Sequence, residues 1–220
     1  MKALDLFCGL GGFSDGLALE GFEVLGVEIE PKIAALYKHP VIVADIRSLN
    51  PENFKGYDLI VGSPPCRDFA RPICSVFGHR WKRPPDPAYG MVLVRAFLNF
   101  VKVAEPRFWL MENVIGLKEY LEIPPKCESY LGLYMKRALW GNFPPFLIPM
   151  DMNKKSMFQP GSFCKPVDNT WLRSWNRAKI PLPVARALGR AVKERLDEQY
   201  TIPMGGASGR RRNDDRNREG

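Results

Sequence analysis

The 220 residues are 45% hydrophobic and 25% charged, the proportions of a soluble globular chain, enough for one sizeable domain with an appendage and too few for two ordinary ones. There is no signal-peptide pattern and no apolar run of about 18 residues, so the expectation is an intracellular protein. The formal net charge of +8 is uneven: residues 1–63 hold 5 Lys/Arg against 9 Asp/Glu, and residues 64–220 hold 27 against 15, a basic remainder that suits a polyanionic partner.

In chain order, KALDL reads as a strand, CGLGG as a glycine-rich turn, and FSDGLALEG as a helix ended by Gly21. FEVLGVEIE follows as a second strand finishing in acids. PKIAALYKH reads as a helix with Pro31 in its first turn, VIVADI as a third strand and YDLIVGS as a fourth. Residues 64–87, rich in Pro, Arg and Cys and without periodicity, read as a long loop, of a length that is usually functional or disordered. A helix over 89–104 and a buried strand PRFWLMENV come next, and residues 123–179 break into prolines, aromatics and basic side chains, an irregular lobe. Apolar positions 184, 187, 188, 192 and 196 predict an amphipathic helix over 182–199, and residues 204–220 have the composition of a disordered basic tail. Strands alternating with helices imply an α/β fold with a mainly parallel sheet covered on both faces.

Two features carry chemistry. The glycine turn lets backbone approach a ligand, but Ser14 stands where a dinucleotide fingerprint would have its last glycine. Glu28 and Asp45, at the ends of the second and third strands, could accept hydrogen bonds from ribose hydroxyls and an adenine amino group, together an adenosine pocket. The fourth strand runs into Gly62-Ser63-Pro64-Pro65-Cys66-Arg67-Asp68-Phe69, a thiol behind two prolines. The five cysteines, at 8, 66, 74, 127 and 164, form no C-x-x-C pair, and His39 and His79 lie apart from them, which argues against a metal site. Unpaired thiols suit a reducing compartment.

Five segments, in order over residues 1–121, resemble the S-adenosylmethionine-dependent DNA cytosine-5 methyltransferase family. They are Asp5-Leu6-Phe7-Cys8-Gly9-Leu10-Gly11-Gly12-Phe13-Ser14, Gly26-Val27-Glu28, Ala44-Asp45-Ile46, Ser63-Pro64-Pro65-Cys66 with Phe69, and Glu112-Asn113-Val114. The resemblance implies a Rossmann-like methyltransferase core over 1–121, a reduced target-recognition lobe over 122–179, and a helix over 180–200 packing back on the core. It implies a cofactor site of Asp5, Phe7, Gly9, Leu10, Gly12, Glu28, Ile29, Asp45, Ile46 and Pro65 for S-adenosylmethionine. Cys66 would be the nucleophile that adds to C6 of a flipped cytosine, Glu112 its acid partner and Arg137 the group that binds the base oxygen. Arg67, Arg71, Arg80 and Arg83 on the loop after Cys66 would contact the phosphates of DNA.

The sequence departs from the family at three places. Leu133 and Met135 stand where Gln and the first Arg of Gln-x-Arg-x-Arg belong, Arg177-Ala178 replaces a Gly-Asn pair before the last helix, and Arg67 and Ala70 replace the common Gln and Ser. A compact member from a prokaryote or its virus is expected. Two other readings share these residues: the same chemistry on RNA or single-stranded DNA, and a non-catalytic cofactor- or DNA-binding subunit.

Overall fold

The structure, a computed structural model, describes residues 1–69, 85–128, 137–147, 172, 175, 176 and 178–201. Arg71, Arg80, Arg83, the tail and most of the lobe expected over 123–179 lie outside the described residues.

The chain opens with β1 (Lys2–Leu6), α1 (Gly12–Leu19), β2 (Glu23–Glu28), the one-turn α2 (Pro31–Ala34), β3 (Val41–Val43) and β4 (Leu59–Gly62). The long helix α3 (Pro87–Ala104), β5 (Phe108–Val114), β6 (Cys127–Glu128), β7 (Arg137–Asn142) and α4 (Leu182–Thr201) complete it. The seven strands form one sheet in the order β3-β2-β1-β4-β5-β7-β6. Neighbours from β3 to β5 run parallel, and β7 pairs antiparallel with both β5 and β6. This is a doubly wound, Rossmann-like α/β sheet whose strand order reverses between β1 and β4. In such sheets the ligand site lies at the carboxyl ends of the strands beside that reversal.

The core is split by the sheet into two layers. On one face α1 and α4 bury Phe13, Leu17, Val184, Leu188 and Val192 against Ala3, Leu59, Val61 and Leu139. On the other, α3 buries Val94, Phe97, Phe100 and Val101 against Leu4, Leu6, Ile60, Met111 and Trp140. Strands covered on both sides read as continuous apolar runs, as LIV in β4 does. By length and composition α3 is long and apolar enough to cross a membrane, contrary to the expectation that the chain holds no apolar run of about 18 residues. Here Gly90, Met91, Val94, Phe97, Phe100, Val101 and Ala104 of this helix are buried in the protein.

Three elements differ from the sequence reading. The helix expected over PKIAALYKH closes after one turn at Ala35, and Tyr37 leaves it to bury its ring beneath the glycine turn. The third strand is three residues, with Asp45 two residues beyond it, capping a short 3-10 turn. Residues 137–142, within the stretch read as irregular, form an inner strand of the sheet with Ala138, Leu139 and Trp140 fully enclosed.

Candidate active site

The strands deliver the candidate residues to one edge of the sheet. After β1 the backbone turns through left-handed conformations at Phe7 (φ 62°), Gly9 (φ 52°) and Gly11 (φ 78°), and Phe7 is the costly one because it carries a Cβ. Cys8 N–H holds the start of the turn by donating to Val27 O at 3.0 Å. Beneath it, Asp5 is buried, with Oδ2 2.5 Å from Ser14 Oγ, which lies 2.6 Å from the Tyr37 hydroxyl. Burial raises the Asp5 carboxyl to about 7, although Ser14 pulls the other way. Asp5 therefore supports the turn from below. Cys8, buried beside it, has its thiol pushed far up by burial and by the Asp5 and Glu28 charges.

Glu28 closes β2 and is 3% exposed. Its Oε2 accepts Gly9 N–H at 3.0 Å and its Oε1 accepts Glu30 N–H at 2.9 Å. Burial raises its carboxyl and these backbone donors partly offset the rise. A carboxylate has about four acceptor sites, so with Ile29 N–H also acting on it there is still capacity for a ribose hydroxyl. Ile29, next in the chain, is 61% exposed, an apolar side chain at a strand end with no core around it. Leu10 is half-buried and Pro65 exposed, while Ile46 is buried in the α3 layer. Asp45 is engaged: Oδ1 accepts Arg47 N–H at 2.9 Å and Oδ2 accepts Arg47 Nη2 at 2.5 Å, and this pairing holds its carboxyl below the ordinary range. The spare acceptor capacity of Glu28, the exposed Ile29 and the close-approach turn fit a purine nucleoside cofactor, with Arg47 required to release Asp45 for an adenine amino group.

Gly12 has a different role from its neighbours in the turn. A Cβ there would stand 2.4 Å from Ile180 N, and one on Gly16 would stand 2.4 Å from Ala185 Cβ. These two glycines admit the chain entering α4. Lys179 Nζ donates to Asp15 Oδ2 at 2.6 Å and Arg186 Nε to Glu20 Oε1 at 2.6 Å, which fastens the same contact at its rim.

The Cys66 loop starts where β4 ends at Gly62, a position without room for a Cβ because Leu6 O would lie 2.6 Å away. Prolines restrict its φ angles, and contacts hold it in place. Asn113 Nδ2, fully buried, donates to Pro64 O at 2.9 Å. Phe69 N–H donates to Cys66 O at 3.2 Å within the 3-10 turn Arg67–Phe69. Asp68 accepts Asp86 N–H at 3.1 Å, Phe69 packs on Gly90 of α3, and a Cβ at Gly116 would stand 2.2 Å from Phe69 O. The loop is thus pinned from β5, from α3 and from the turn after β5. Neither Asn113 nor Gly116 was marked by sequence reasoning as a holder of the thiol; the Asn of the ENV triplet was the available signal.

Glu112 lies in β5, 1% exposed, opposite Leu139 of β7. Arg137 opens β7 and its Nη1 donates to Glu112 Oε1 at 2.7 Å. The structure therefore brings Arg137 to Glu112 although the Gln and first Arg of the motif are absent. Burial pushes the Cys66 thiol up, the Arg137 charge draws it down, and Glu112 adds a smaller upward push. All three residues share one electrostatic neighbourhood. Arg67 is half-buried at the start of the loop. Among the described residues, no three His, Cys, Asp or Glu side chains converge in a way that could hold a metal.

Curated relatives share this part of the chain. The type II methyltransferase M.DdeI of Desulfomicrobium norvegicum is 33% identical over 141 residues, 60% of this chain and 31% of its own length. M.HindV of Haemophilus influenzae is 38% identical over 129 residues, 54% of this chain and 39% of its own. M1.HphI of Haemophilus parahaemolyticus is 33% identical over 126 residues, 52% and 32% respectively. The chain spans about a third of the length of these relatives. The family model for C-5 cytosine-specific DNA methylases matches residues 1–122, which include every segment from the glycine turn through Glu112-Asn113-Val114. With more than half of its length matched, the chain belongs to the C-5 cytosine-specific DNA methylase family.

Proposed function

We propose that the protein methylates C5 of cytosine in DNA, with Cys66 as nucleophile and S-adenosylmethionine as donor. The observation that carries the reading is a pinned thiol within electrostatic reach of the Glu112–Arg137 pair, at the sheet edge that also bears the glycine turn and Glu28. Bound there, S-adenosylmethionine supplies an electrophilic methyl group on a sulfonium.

Cytosine C5 is a weak nucleophile in its aromatic ring. Attack by Cys66 Sγ on C6 forms an S–C6 bond and moves electron density to C5 and N3, giving an enamine-like ring. Glu112 Oε1 is held by Arg137, which leaves Oε2 to share a proton with N3 as negative charge grows there. Arg137, whose planar fork carries five donors, suits recognition of the base oxygen O2. After C5 takes the methyl group, loss of its proton to a base returns the electron pair to the ring, and the C6–S bond breaks to release the thiolate.

The raised thiol of Cys66 fits this sequence. In the free protein it stays protonated near neutral pH, and arrival of the base beside Arg137 must accompany its ionisation. C6 of a stacked cytosine is covered by its neighbours in the duplex and cannot reach a thiol pinned on a short loop, so the base is flipped out. We assign phosphate contacts to Arg67, Arg71, Arg80 and Arg83, and target reading to the basic, aromatic segment around β7. We assign the protein to the cytoplasm, with a prokaryotic or viral origin, in keeping with a DNA substrate and bacterial relatives.

The test is incubation of the full chain with methyl-labelled S-adenosylmethionine and duplex DNA, followed by nucleoside analysis. Label in 5-methylcytosine, lost in Cys66→Ala while cofactor binding persists, is the expected result. Label on an amino nitrogen, in RNA alone, or in neither nucleic acid overturns it.

A further inference from the structure

Trp175 lies in the segment that leads into α4, far along the chain from the motifs of the core, and the sequence reading assigned it only to an aromatic lobe. In the fold it is half-buried, and its indole lies against Gly9 of the glycine turn. A Cβ added to Gly9 would stand 3.4 Å from Trp175 Cε3 and 3.6 Å from Cζ3. The backbone that carries it is fixed. Lys179 N–H donates to Trp175 O at 3.1 Å, Lys179 Nζ is paired with Asp15, and Ile180 sits directly on Gly12.

The order of the sheet says which part of a cofactor this indole faces. Glu28 at the end of β2 suits ribose, and Asp45 beyond β3, at the sheet edge, suits adenine. The donor end then extends the other way, over the β1 turn toward β4, where Cys66 is held. Gly9 belongs to that turn. An indole face is the aromatic surface that attracts cations most strongly, and a sulfonium is a cation that carries no hydrogen-bond donor. Glu28 is bound to Gly9 N–H from one side of the turn, and the indole lies against Gly9 from another.

We propose that Trp175 is a wall of the cofactor pocket that recognises the positive charge of the sulfonium, so that the protein prefers the methyl donor to its neutral demethylated product. The inference rests on the cofactor reading above and adds to it a residue outside the matched family segment and a basis for releasing product. Removing the methyl removes the charge, and with it the attraction to the indole.

The experiment is calorimetric titration of the full chain, Trp175→Phe and Trp175→Leu with S-adenosylmethionine and with S-adenosylhomocysteine, alongside intrinsic fluorescence. Both ligands should quench the wild-type emission. Trp175→Leu should lose that quench and bind the sulfonium more weakly by about two- to thirtyfold, the range of a cation–aromatic contact, with a much smaller change for the product. Trp175→Phe, which keeps a weaker aromatic face and a similar volume, should fall between. Unchanged affinities in both variants, or an equal loss for the two ligands, overturns the proposal and leaves the cofactor reading standing. A wild-type chain that binds neither ligand overturns both.

Discussion

Replacing Asp5 by asparagine removes a buried carboxyl that the fold holds in its acid form up to about pH 7. In the folded chain it titrates at about 7 against an ordinary 3.8, chiefly because it is buried. Ser14 bonds to it from α1 and lowers the value, whereas Glu28 and Asp15 face it and raise it; Tyr37 and Cys8 are the other titratable groups beside it. Because the folded state keeps a proton that the unfolded chain releases, this group makes stability fall as pH rises from about 4 to about 7, and the loss is complete above that. Three units at 1.36 kcal/mol each give a loss of about 4 kcal/mol, with a slope no steeper than about 1.4 kcal/mol per pH unit. Asparagine has nearly the same shape and keeps an acceptor for Ser14 Oγ. Urea unfolding of both chains from pH 4.5 to 8, followed by circular dichroism, should show a shallower fall in Asp5→Asn and a variant more stable than the wild type at pH 8. Glu28, whose carboxyl is also raised, adds its own fall to both curves, so the difference between them is what reports on Asp5. Parallel curves between pH 5 and 7 would refute the assignment of a buried proton to Asp5.

Other perturbations separate the parts of the site. Asn113→Ala leaves the Pro64 carbonyl without its buried donor, so it should cost about 1–3 kcal/mol in urea unfolding and slow single-turnover methyl transfer while cofactor affinity holds. Gly12→Ala forces a methyl group into the Ile180 backbone and should cost about 1–3 kcal/mol or more, whereas Gly189→Ala, which meets only side-chain atoms, Glu20 Cβ and Cγ at 3.2 Å and Leu17 Cδ2 at 3.4 Å, should cost less and lower the melting temperature by a few degrees at most. Alkylation of Cys66 by iodoacetamide, read by peptide mass spectrometry, should lag behind that of a free thiol at pH 7.5 and accelerate only as pH climbs past the ordinary thiol range; equal rates at pH 7.5 would contradict a raised thiol. Arg47→Ala frees the Asp45 carboxylate and should tighten S-adenosylmethionine binding in calorimetry, and weaker binding would show that Arg47 is itself a cofactor contact.

The sheet was legible because β1, β2, β4 and β5 are apolar runs closed by Gly, Pro or acidic punctuation, a local signal that survives in one dimension. The reading of α2 failed through Tyr37. An apolar residue at helical spacing can leave the helix when a buried partner, here the Ser14 hydroxyl, is available elsewhere in the chain. The strand β7 offers only Ala138-Leu139-Trp140 before Gly141, and its ladder is made with β5, whose paired residues lie 23 to 33 positions away. Within the site, Cys66 and Glu112 were found from short motifs. The partners that hold them were not, since Asn113 meets Pro64 across 49 residues and Gly12 meets Ile180 across a still longer stretch. Gly12 shows the limit most clearly: a glycine in a ligand-binding turn looks the same in sequence whether it makes room for a ligand or for another part of the chain.

The seam between α1 and α4 makes the core a closed frame. Phe143, just after β7, is buried in the same layer as Ile180 and Val184, so the chain leaves and re-enters the core at sites that the frame itself holds. A flexible connection pays closure entropy only as the logarithm of its length. Lengthening, shortening or exchanging the chain between Phe143 and Trp175 should therefore cost the frame little, provided that Trp175 on Gly9 and Lys179 on Asp15 are kept.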